Sequence, residues 1–585
     1  MVHESLRLYA ANDSYTLVPY YLDPTIPAQT LVINRENGFF ELGGASPEPT
    51  LPPYHSEPLT IYGVFGVIKL LSERIGRLGR HDIFQADQFR ILPFAKNILH
   101  LSKQQAKSLL TSGTYYFSYT YDLTHTLQRQ AQLGDSSKPL WQRADDRFFW
   151  NRYVQSKLID ITINNPDQDL SDFILPVVFG FTSISLTKIN NRDITFCLIS
   201  RRSRYRVEGN VSNFNETEQI ILLDPPKDSH HINTSFEGKI KLSYVQTRGS
   251  IPVYWSQIND IKYTPKIQLM DYPNLNATVR RHFDEQIKSY GKQILVNLIN
   301  KKGFEYPVGA AYEKIVKQLN DPRIVYFHFD FHHECRKMRW DRIQILLDLI
   351  EEELIQQGFQ ESVVRTNCMD CLDRTNVVQS TLAKWMLTQQ LREVGVLSNK
   401  EKIDEITSFM DLFRNVWADN ADAVSLPYAG TGAQKTDFTR TKQGAISDIH
   451  NSITRYVLNN FKDGLRQVCV YEVKPNISPF IETKLHHIKF VPQILLGCIA
   501  LLIFLNLIPK YDDYAHLIRF IMIINVFAII FLVRFIFENG SEFVNWPRLV
   551  PRDYRYYRGP GAASHKVPRY TDSEYGEKIE LQKIE

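Results

Sequence analysis

Residues 365–376, R-T-N-C-M-D-C-L-D-R-T-N, combine side chains that together could carry out phosphoryl transfer. Five residues separate Cys368 from Arg374. In a loop of this length the backbone N–H groups can surround a phosphate, and the guanidinium can bind it with two hydrogen bonds. The same positive surroundings lower the pKa of a thiol, and a thiolate below a bound phosphoryl group is a nucleophile. The spacing therefore predicts catalysis through a phosphocysteine, with no metal required.

The other side chains of the loop have predicted roles as well. Asp370 is the preferred general acid, which requires a raised pKa, and a bound phosphate would favour that. Asp373 is predicted to hold Arg374 or the loop, and the Thr375 hydroxyl to hydrogen-bond the leaving thiolate. The rest of the predicted phosphate-binding loop is formed by Asn367, Met369, Cys371 and Leu372.

The pair Cys368 and Cys371 forms a C-x-x-C motif, which also suggests zinc or a redox dithiol. A zinc site needs about four ligands, and the sequence has no second C-x-x-C or C-x-x-H. A dithiol at a helix N-terminus is a serious rival, and it predicts that both cysteines are essential. The phosphatase and the dithiol interpretations are compatible if Cys371 forms a reversible bond with an oxidised Cys368. We expect no metal site and no cofactor. A separate group, His328, His332 and His333, is assigned to a strand end and turn rather than to metal ligation.

The elements that would hold this loop can be read from the apolar pattern. Alternation over residues 325–331 predicts a strand, and apolar spacings of three to five from Met338 to Ile355 predict a helix that Gly358 closes. A short strand follows at residues 362–365, and a second helical pattern begins at Val377. The loop should therefore lie between a strand and a helix N-terminus, where unpaired N–H groups attract anions.

Composition and patterning divide the 585 residues into five predicted regions. Residues 1–170 are β-rich, and residues 171–455 predict an α/β domain with a mixed sheet flanked by helices. A cytosolic linker at 456–489, two apolar segments within 490–537 and a cytosolic tail at 538–585 follow. The formal net charge of +4 is small for this length and argues against a nucleic-acid-binding protein.

The apolar segments 490–508 and 517–537 each approach the roughly 20 residues needed to cross a bilayer. The eight residues between them allow only a hairpin, and the basic residues outside it predict that both termini are cytosolic. A buried hairpin in a soluble core is the alternative. It is disfavoured because both segments are apolar on all faces.

The loop motif resembles that of the Sac-domain phosphoinositide phosphatases. Further stretches share the resemblance, among them Y-G-V-F-G-V-I-K-L-L at 62–71, R-G-S-I-P-V-Y-W at 248–255 and A-G-T-G-A-Q-K-T-D-F-T-R-T at 429–441. The resemblance implies a β-rich N-terminal subdomain packed on an α/β catalytic subdomain. It implies hydrolysis of phosphatidylinositol 4-phosphate, some activity on the 3-phosphate and less on bisphosphates. With the apolar hairpin, it also implies a multi-pass protein of the endoplasmic reticulum membrane that can cycle to the Golgi.

Two departures from the family pattern are evident. After S-R-R-S at 200–203 only nine residues, 204–212, precede N-F-N-E-T-E-Q, where the family has a longer basic segment. The C-terminus, L-Q-K-I-E, has no clear dilysine pair. The run Arg201, Arg202, Arg204 and Arg206 is interpreted as a surface that could face anionic lipid.

Other functional classes stay open at this point. They are a protein phosphatase with the same cysteine chemistry, a non-catalytic lipid-binding tether and a membrane thiol oxidoreductase. The expected partner is a phosphoinositide in the membrane, and the sequence identifies no protein partner.

Overall fold

The structure is a computed structural model. It describes residues 2–20, 29–36, 39–43, 58–64, 68–91, 114–133, 137–165, 167–203, 214–224, 239–257, 260–269, 273–358, 362–435, 444–462, 490–507 and 514–544.

Strands and helices alternate in blocks along these residues. The strands are β1 Leu6–Ala10, β2 Ser14–Pro19, β3 Leu31–Asn34, β4 Phe40–Leu42, β5 Leu59–Ile61, β6 Ile68–Leu78, β7 His81–Ile91, β8 Tyr115–Phe117, β9 Val178–Ile189, β10 Arg192–Arg202, β11 Asn215–Leu223, β12 Ile240–Arg248, β13 Trp255–Gln257, β14 Ile267–Leu269, β15 Lys292–Asn297, β16 Ile324–His328 and β17 Ser362–Asn367. The α-helices are α1 Leu127–Gln132, α2 Leu140–Arg143, α3 Ser156–Asn164, α4 Leu275–Tyr290, α5 Tyr306–Leu319, α6 Phe331–Glu334, α7 Ile343–Gln357, α8 Asp373–Glu393, α9 Thr407–Ala429, α10 Gly444–Phe461, α11 Val491–Leu507, α12 Ala515–Glu538 and α13 Gly540–Phe543. Short 3-10 helices occupy Ser171–Phe173, Arg336–Met338, Trp340–Arg342 and Ile403–Glu405.

A ten-stranded mixed sheet forms the centre of the described structure. Its strand order is β16-β15-β17-β12-β11-β10-β9-β8-β7-β6. Pairing is parallel from β16 to β12 and antiparallel from β12 to β6. Every residue of β17 is buried, as expected for a parallel strand covered on both faces. The predicted mixed sheet with flanking helices is confirmed.

Two apolar clusters cover this sheet, and helix α8 belongs to both. Val377, Val378 and Leu382 pack in one cluster with residues of α4, α5 and α7. Met386 and Leu387 pack in the other, with α9 and the antiparallel strands. Because both clusters share α8, the helix that begins next to the predicted phosphate loop is held firmly in place.

A second, five-stranded antiparallel sheet has the order β4-β3-β2-β1-β5 and confirms the β-rich N-terminal region. The ten-stranded sheet nevertheless crosses the predicted boundary at residue 170, because β8 pairs with β9 through Tyr115 and Phe179. Helix α10 likewise crosses the predicted boundary at residue 455. The division into domains therefore stays a prediction.

The two apolar C-terminal segments form helices α11 and α12. Among the described residues, α12 with 24 residues is long and apolar enough to cross a membrane, whereas α11 with 17 is shorter. The helices contact each other, and Asn525 Nδ2 donates a hydrogen bond to the Cys498 carbonyl at 2.8 Å. Most of the predicted connecting loop, 509–516, lies outside the described residues.

Candidate active site

The loop of residues 368–372 leaves β17 at the carboxyl edge of the parallel strands and leads into α8. Asn367, the last residue of β17, is in register with Asn297 of β15, and Thr366 is in register with Arg248 of β12. Three strands therefore end side by side where the loop begins. In open α/β sheets this edge is where ligands bind.

Cys368 is buried, and polar groups surround its sulfur. The Cys371 N–H donates to Cys368 Sγ at 3.0 Å, and the Thr375 hydroxyl donates at 3.4 Å. The Asp370 carboxylate oxygen Oδ1 lies 3.2 Å from the same sulfur, and its negative charge opposes ionisation of the thiol. Cys371 has a φ of 54°, in the left-handed region, so the chain turns sharply within the loop. The two hydrogen-bond donors, Cys371 N–H and the Thr375 hydroxyl, therefore favour the thiolate form of Cys368, whereas the Asp370 carboxylate disfavours it.

The pKa of Cys368 departs from the sequence-based expectation. Burial, the hydrogen bond with Cys371 and the charge of Asp370 raise the pKa of this thiol well above its ordinary value, although Arg374 lowers it. The expectation of a thiolate in the free protein was therefore wrong for this state. The physical reason is that burial disfavours the charged thiolate, and that the positive charge of Arg374 is opposed by the negative charge of Asp370.

Asp370 reaches the surface of the loop and also binds within it. Its Oδ1 accepts a hydrogen bond from the Leu372 N–H at 3.2 Å. Burial opposes ionisation, but the charge of Arg374 and the hydrogen bonds from Cys368 and Leu372 lower the pKa of Asp370 overall. In the free protein this direction is opposite to what a general acid needs.

Arg374 is buried at the first turn of α8 and is fixed by a carboxylate that the sequence did not reveal. Its Nη1 and Nη2 donate to Glu305 Oε2 and Oε1, both at 2.9 Å. Glu305 precedes α5 and also accepts the Asn300 N–H at 3.0 Å. Burial opposes its charge, but Cys368 and Glu305 raise the pKa of Arg374, so it is a permanent cation. The two-point contact fixes the plane of the guanidinium beside the loop.

Asp373 holds the start of α8, but it does not bind Arg374. Its Oδ1 accepts the Gln434 N–H at 2.6 Å, and its Oδ2 accepts Arg455 Nη1 at 2.6 Å. Arg455 lies on α10 and also donates from Nη2 to Ser425 Oγ at 2.8 Å. Asp373 therefore connects the loop to α9, α10 and the segment between them.

The remaining loop residues are fixed from below by the chain that follows β12. Cys371 Sγ donates to the Gly249 carbonyl at 2.8 Å, and Asn367 Nδ2 donates to the same oxygen. Met369 packs against the cluster beneath the parallel strands. Leu372 packs against α9. Cys371 is buried under the loop in this arrangement.

Arg248, the last residue of β12, is a second buried cation at the loop. Its Nη2 donates to Asn376 Oδ1 at 3.3 Å, while Nε and Nη1 are buried without a hydrogen-bond partner. Within the described part of the chain no carboxylate pairs with it. Burial lowers the pKa of Arg248 to about 10, although Cys371 and Cys368 raise it. The only sequence signal for this residue was its place at the head of R-G-S-I-P-V-Y-W.

The histidines considered as possible metal ligands have different neighbours. His328 Nε2 lies 3.0 Å from the Ile299 carbonyl, and His332 Nδ1 lies 2.8 Å from Asn300 Oδ1. His333 Nδ1 lies 3.0 Å from Glu334 Oε1. In the described ranges no three His, Cys, Asp or Glu side chains are grouped as a metal site would need.

The lipid-facing interpretation of the basic run is wrong for its first two residues. Arg201 is fully buried and binds Glu216 at 3.0 Å and Glu218 at 2.7 Å. Arg202 is buried with its guanidinium 3.9 Å from the centre of the Tyr428 ring. Arg204 and Arg206 lie outside the described residues.

Comparison with known proteins gives a consistent result. Residues 61–336 match the family described as the SacI homology domain. The phosphatidylinositol-3-phosphatase SAC1 of Saccharomyces cerevisiae is 38% identical over 559 residues, which cover 85% of this chain and 87% of that protein. SAC1-B of Danio rerio, another phosphatidylinositol-3-phosphatase, is 36% identical over 84% of this chain and 88% of its own length. SAC1 of Drosophila melanogaster is 36% identical over 94% of this chain and 98% of its own length.

Proposed function

This chain belongs to the Sac family of phosphoinositide phosphatases, and on that premise we propose that it hydrolyses phosphatidylinositol 4-phosphate through a phosphocysteine at Cys368. The observation that carries the proposal is the convergence of two hydrogen-bond donors on Cys368 Sγ at the N-terminus of α8, beside the fixed guanidinium of Arg374. A monoester phosphate bound there would place its phosphorus above the sulfur and its oxygens against the loop amides.

The proposed first step transfers the phosphoryl group to the cysteine. A protonated Cys368 stands 3.2 Å from an ionised Asp370, and the negative charge of the entering phosphate raises the pKa of that carboxyl. Asp370 takes the thiol proton, the thiolate attacks phosphorus, and the bond from phosphorus to the inositol oxygen breaks. Asp370 then gives the proton to the inositol oxygen, so Asp370 ends the step ionised and the lipid leaves as an alcohol.

The second step returns the enzyme to its starting state. Water attacks the phosphocysteine and loses a proton to Asp370, and the bond from phosphorus to sulfur breaks. The Thr375 hydroxyl, 3.4 Å from the sulfur, donates to the departing thiolate, which then takes the proton back from Asp370. Inorganic phosphate is the second product.

Positive charge for both transition states would come from the protein itself. Arg374 and the loop amides would contact the equatorial oxygens, and Arg248 would act from beneath the loop. The proposal therefore assigns no metal ion and no cofactor to the reaction.

The position of the phosphate on the inositol ring is a separate part of the proposal. The family resemblance supports the 4-phosphate, followed by the 3-phosphate and then bisphosphates, whereas the relatives are named as phosphatidylinositol-3-phosphatases. Rates on the 3-, 4- and 5-phosphate isomers at equal surface density test this order. A faster rate on the 3-phosphate than on the 4-phosphate would reverse it.

We also infer that α11 and α12 cross the endoplasmic reticulum membrane as a hairpin, with both termini in the cytosol, and that the protein cycles to the Golgi. At 1.5 Å per residue the 24-residue α12 is about 36 Å long, enough for a hydrocarbon core of about 30 Å. Its large apolar side chains, such as Phe527 and Phe531, are exposed in the protein alone. In sealed vesicles, a cysteine at Asp512 should react with an impermeant maleimide only after permeabilisation, whereas one at Glu542 should react before it.

The activity test uses the full chain in lipid vesicles, a chelator and measurement of released inorganic phosphate. The proposal predicts release that continues in the chelator, disappears in Cys368→Ser and persists in Cys371→Ser. Equal loss in both cysteine variants would favour the thiol oxidoreductase. Substrate binding without release by the folded wild-type chain would favour the lipid-binding tether.

A further inference from the structure

Helix α10 has an inner face that binds the surroundings of the phosphate loop. Asp448 accepts the Lys435 N–H at 2.9 Å, and Asn451 Nδ2 donates to the Ala433 carbonyl at 3.4 Å. One turn further along, Arg455 binds Asp373 at the start of α8. These contacts fix the rotation of α10 about its own axis, so the direction of its opposite face is also fixed.

The opposite face is an apolar stripe that the described protein leaves uncovered. The residues of this outer stripe are Ile446, Ile449, Ile453, Val457 and Phe461. Their spacings of three and four place them on one side of the helix. Their side chains are between 40% and 82% exposed. Contiguous exposed apolar surface of this kind marks an interaction site, and an amphipathic helix with such a stripe fits a membrane interface.

Helix α10, which carries the outer stripe, lies close to the end of the candidate membrane helix. The Tyr456 hydroxyl donates to the Ile261 carbonyl at 2.5 Å, and the Tyr263 ring stacks on the Tyr456 ring at 6.5 Å. Gly540, just after α12, packs so closely on the Asp260 carbonyl that a Cβ there would overlap it. Helix α10 and the end of α12 therefore meet at the same short segment, residues 260–263.

The flanks of the outer stripe also suit a lipid surface. Tyr263 is 73% exposed, and amphipathic aromatic rings are favoured at the boundary between lipid and water. Lys266 and Lys462 are exposed nearby in the chain and could approach anionic headgroups. Residues 463–490 then connect α10 to α11, so the chain itself passes from this helix to the membrane segment.

We propose that the outer stripe of α10 lies in the headgroup region of the bilayer that carries the substrate and holds the phosphate loop toward that surface. The inference rests on the proposed function and adds a specific docking surface to it. The bilayer is the favoured occupant because α10 and the end of α12 both contact residues 260–263, and because the chain runs from α10 to α11. Seating α10 also orders the start of α8, since Arg455 and Asp373 join the two helices.

The first test compares membrane-bound and water-soluble substrate, using the full chain reconstituted in vesicles. The variant is Ile449→Asp with Ile453→Asp, and its matched control is Leu186→Asp, at an exposed apolar residue of β9. Placing charge in the stripe should lower hydrolysis of long-chain substrate in the vesicles by about tenfold. Hydrolysis of a short-chain phosphoinositide below its micelle concentration should stay within about twofold of wild type, since the loop itself is unchanged.

The control should match wild type on both substrates. Equal losses on both substrates in the stripe variant, or no loss on either, would overturn the proposal.

The second test needs no activity and therefore separates this inference from the proposed function. The full chain carrying Ile453→Trp, and separately Leu186→Trp, is placed in single-copy nanodiscs with brominated lipid. The fluorescence that each new tryptophan adds to that of the wild type is measured. Its quenching by the brominated lipid in Ile453→Trp but not in Leu186→Trp supports the docking surface, even if the chain hydrolyses no phosphoinositide. Absence of quenching in Ile453→Trp contradicts the docking of the stripe on the bilayer. If the full chain in detergent then forms a concentration-dependent dimer, the stripe is assigned to a second copy.

Discussion

Burial and a small number of neighbouring charges decide whether the Cys368 sulfur is a thiol or a thiolate. Asp370 opposes the thiolate from 3.2 Å, while Arg374 supports it but is paired with Glu305. A phosphate dianion entering this loop would raise the pKa of Asp370, and in the proposed mechanism Asp370 then takes the thiol proton. In the proposed mechanism the free protein is a resting state, in which Cys368 is a thiol until substrate binds.

Asp370→Asn should make Cys368 more reactive toward iodoacetamide while it lowers turnover. Removing the neighbouring negative charge lowers the pKa of the thiol, so more thiolate is present at neutral pH, and alkylation should be at least about threefold faster. In the wild type, alkylation should rise as pH increases, because a raised pKa keeps the thiol protonated near neutrality. Mass spectrometry resolved to Cys368 measures both effects. Slower alkylation in the variant at neutral pH would show that the carboxylate is not the group that opposes the thiolate.

Glu305→Gln should lower kcat/KM by about tenfold to a hundredfold, because Arg374 loses a contact that fixes its plane. Glu313→Gln is the matched control, since Glu313 binds the exposed Lys317 at 2.6 Å on the surface of α5. The control should retain wild-type kinetics on the short-chain substrate. Faster turnover in Glu305→Gln would mean that the carboxylate competes with the phosphate instead of positioning the arginine.

At this scale the sequence predicted the residues that lie within one motif and missed those brought in from elsewhere. Cys368 and Thr375 are in contact as expected because a strand, a short loop and a helix determine their geometry locally. Glu305, Arg455 and Arg248 are 69, 82 and 128 residues from their partners in the chain. No local pattern in the sequence indicates contacts between residues so far apart. Asp373, which was expected to hold Arg374 or the loop, accepts hydrogen bonds from Gln434 and Arg455, and neither of these partners could be read from the motif.

Among the elements, the strand–loop–helix unit was predictable, but its neighbours differ in detail. The strand predicted at 325–331 ends at His328, because Asp330 caps helix α6 by accepting the His333 N–H at 3.1 Å. The helix predicted from Met338 begins as α7 at Ile343, and Gly358 ends it with a φ of 55°. Apolar periodicity identified the type of element, whereas the capping side chain of Asp330 and the backbone conformation of Gly358 mark ends that this periodicity does not locate.

Helices α8 and α10 are coupled by the pair Asp373 and Arg455, which is mostly buried. We expect Asp373→Asn and Arg455→Gln each to lower kcat, and the double variant to lose less than the sum of the two losses. A double-mutant cycle should give a coupling of about 1 kcal/mol or more, as for groups in direct contact. The matched control is Asp411→Asn with Arg414→Gln, an exposed pair on α9 separated by 3.5 Å. Additive effects at Asp373 and Arg455 would exclude a coupling role.

For the whole molecule, a buried ion network joins the region before residue 170 to the large sheet. Arg201 of β10 binds Glu216 and Glu218 of β11 and donates from Nη2 to the His125 carbonyl at 3.0 Å. The sequence showed a basic run but could not show which way it faces. Burial beside two carboxylates explains why an arginine that looked like a lipid contact belongs to the core.

Arg201→Met should destabilise the protein by about 3–5 kcal/mol, because two carboxylates are left buried without their cation. Lys188→Met is the matched control: Lys188 and Asp193 form an exposed pair on the adjacent hairpin of β9 and β10. That change should stay within about 0.5 kcal/mol of wild type. Denaturant unfolding followed by tryptophan fluorescence measures both, and equal stability of the two variants would contradict the structural role of the network.

The central claim is that Cys368 carries the phosphoryl group during turnover. The most direct measurement is an acid quench of the full chain while it hydrolyses phosphatidylinositol 4-phosphate in a chelator, followed by peptide mapping for covalent phosphate. We predict phosphate on the peptide that contains Cys368, absent in Cys368→Ser and present in Cys371→Ser. Two results would contradict the account while inorganic phosphate is steadily released. One is covalent phosphate on a residue other than Cys368, and the other is no protein-bound phosphate in repeated early quenches.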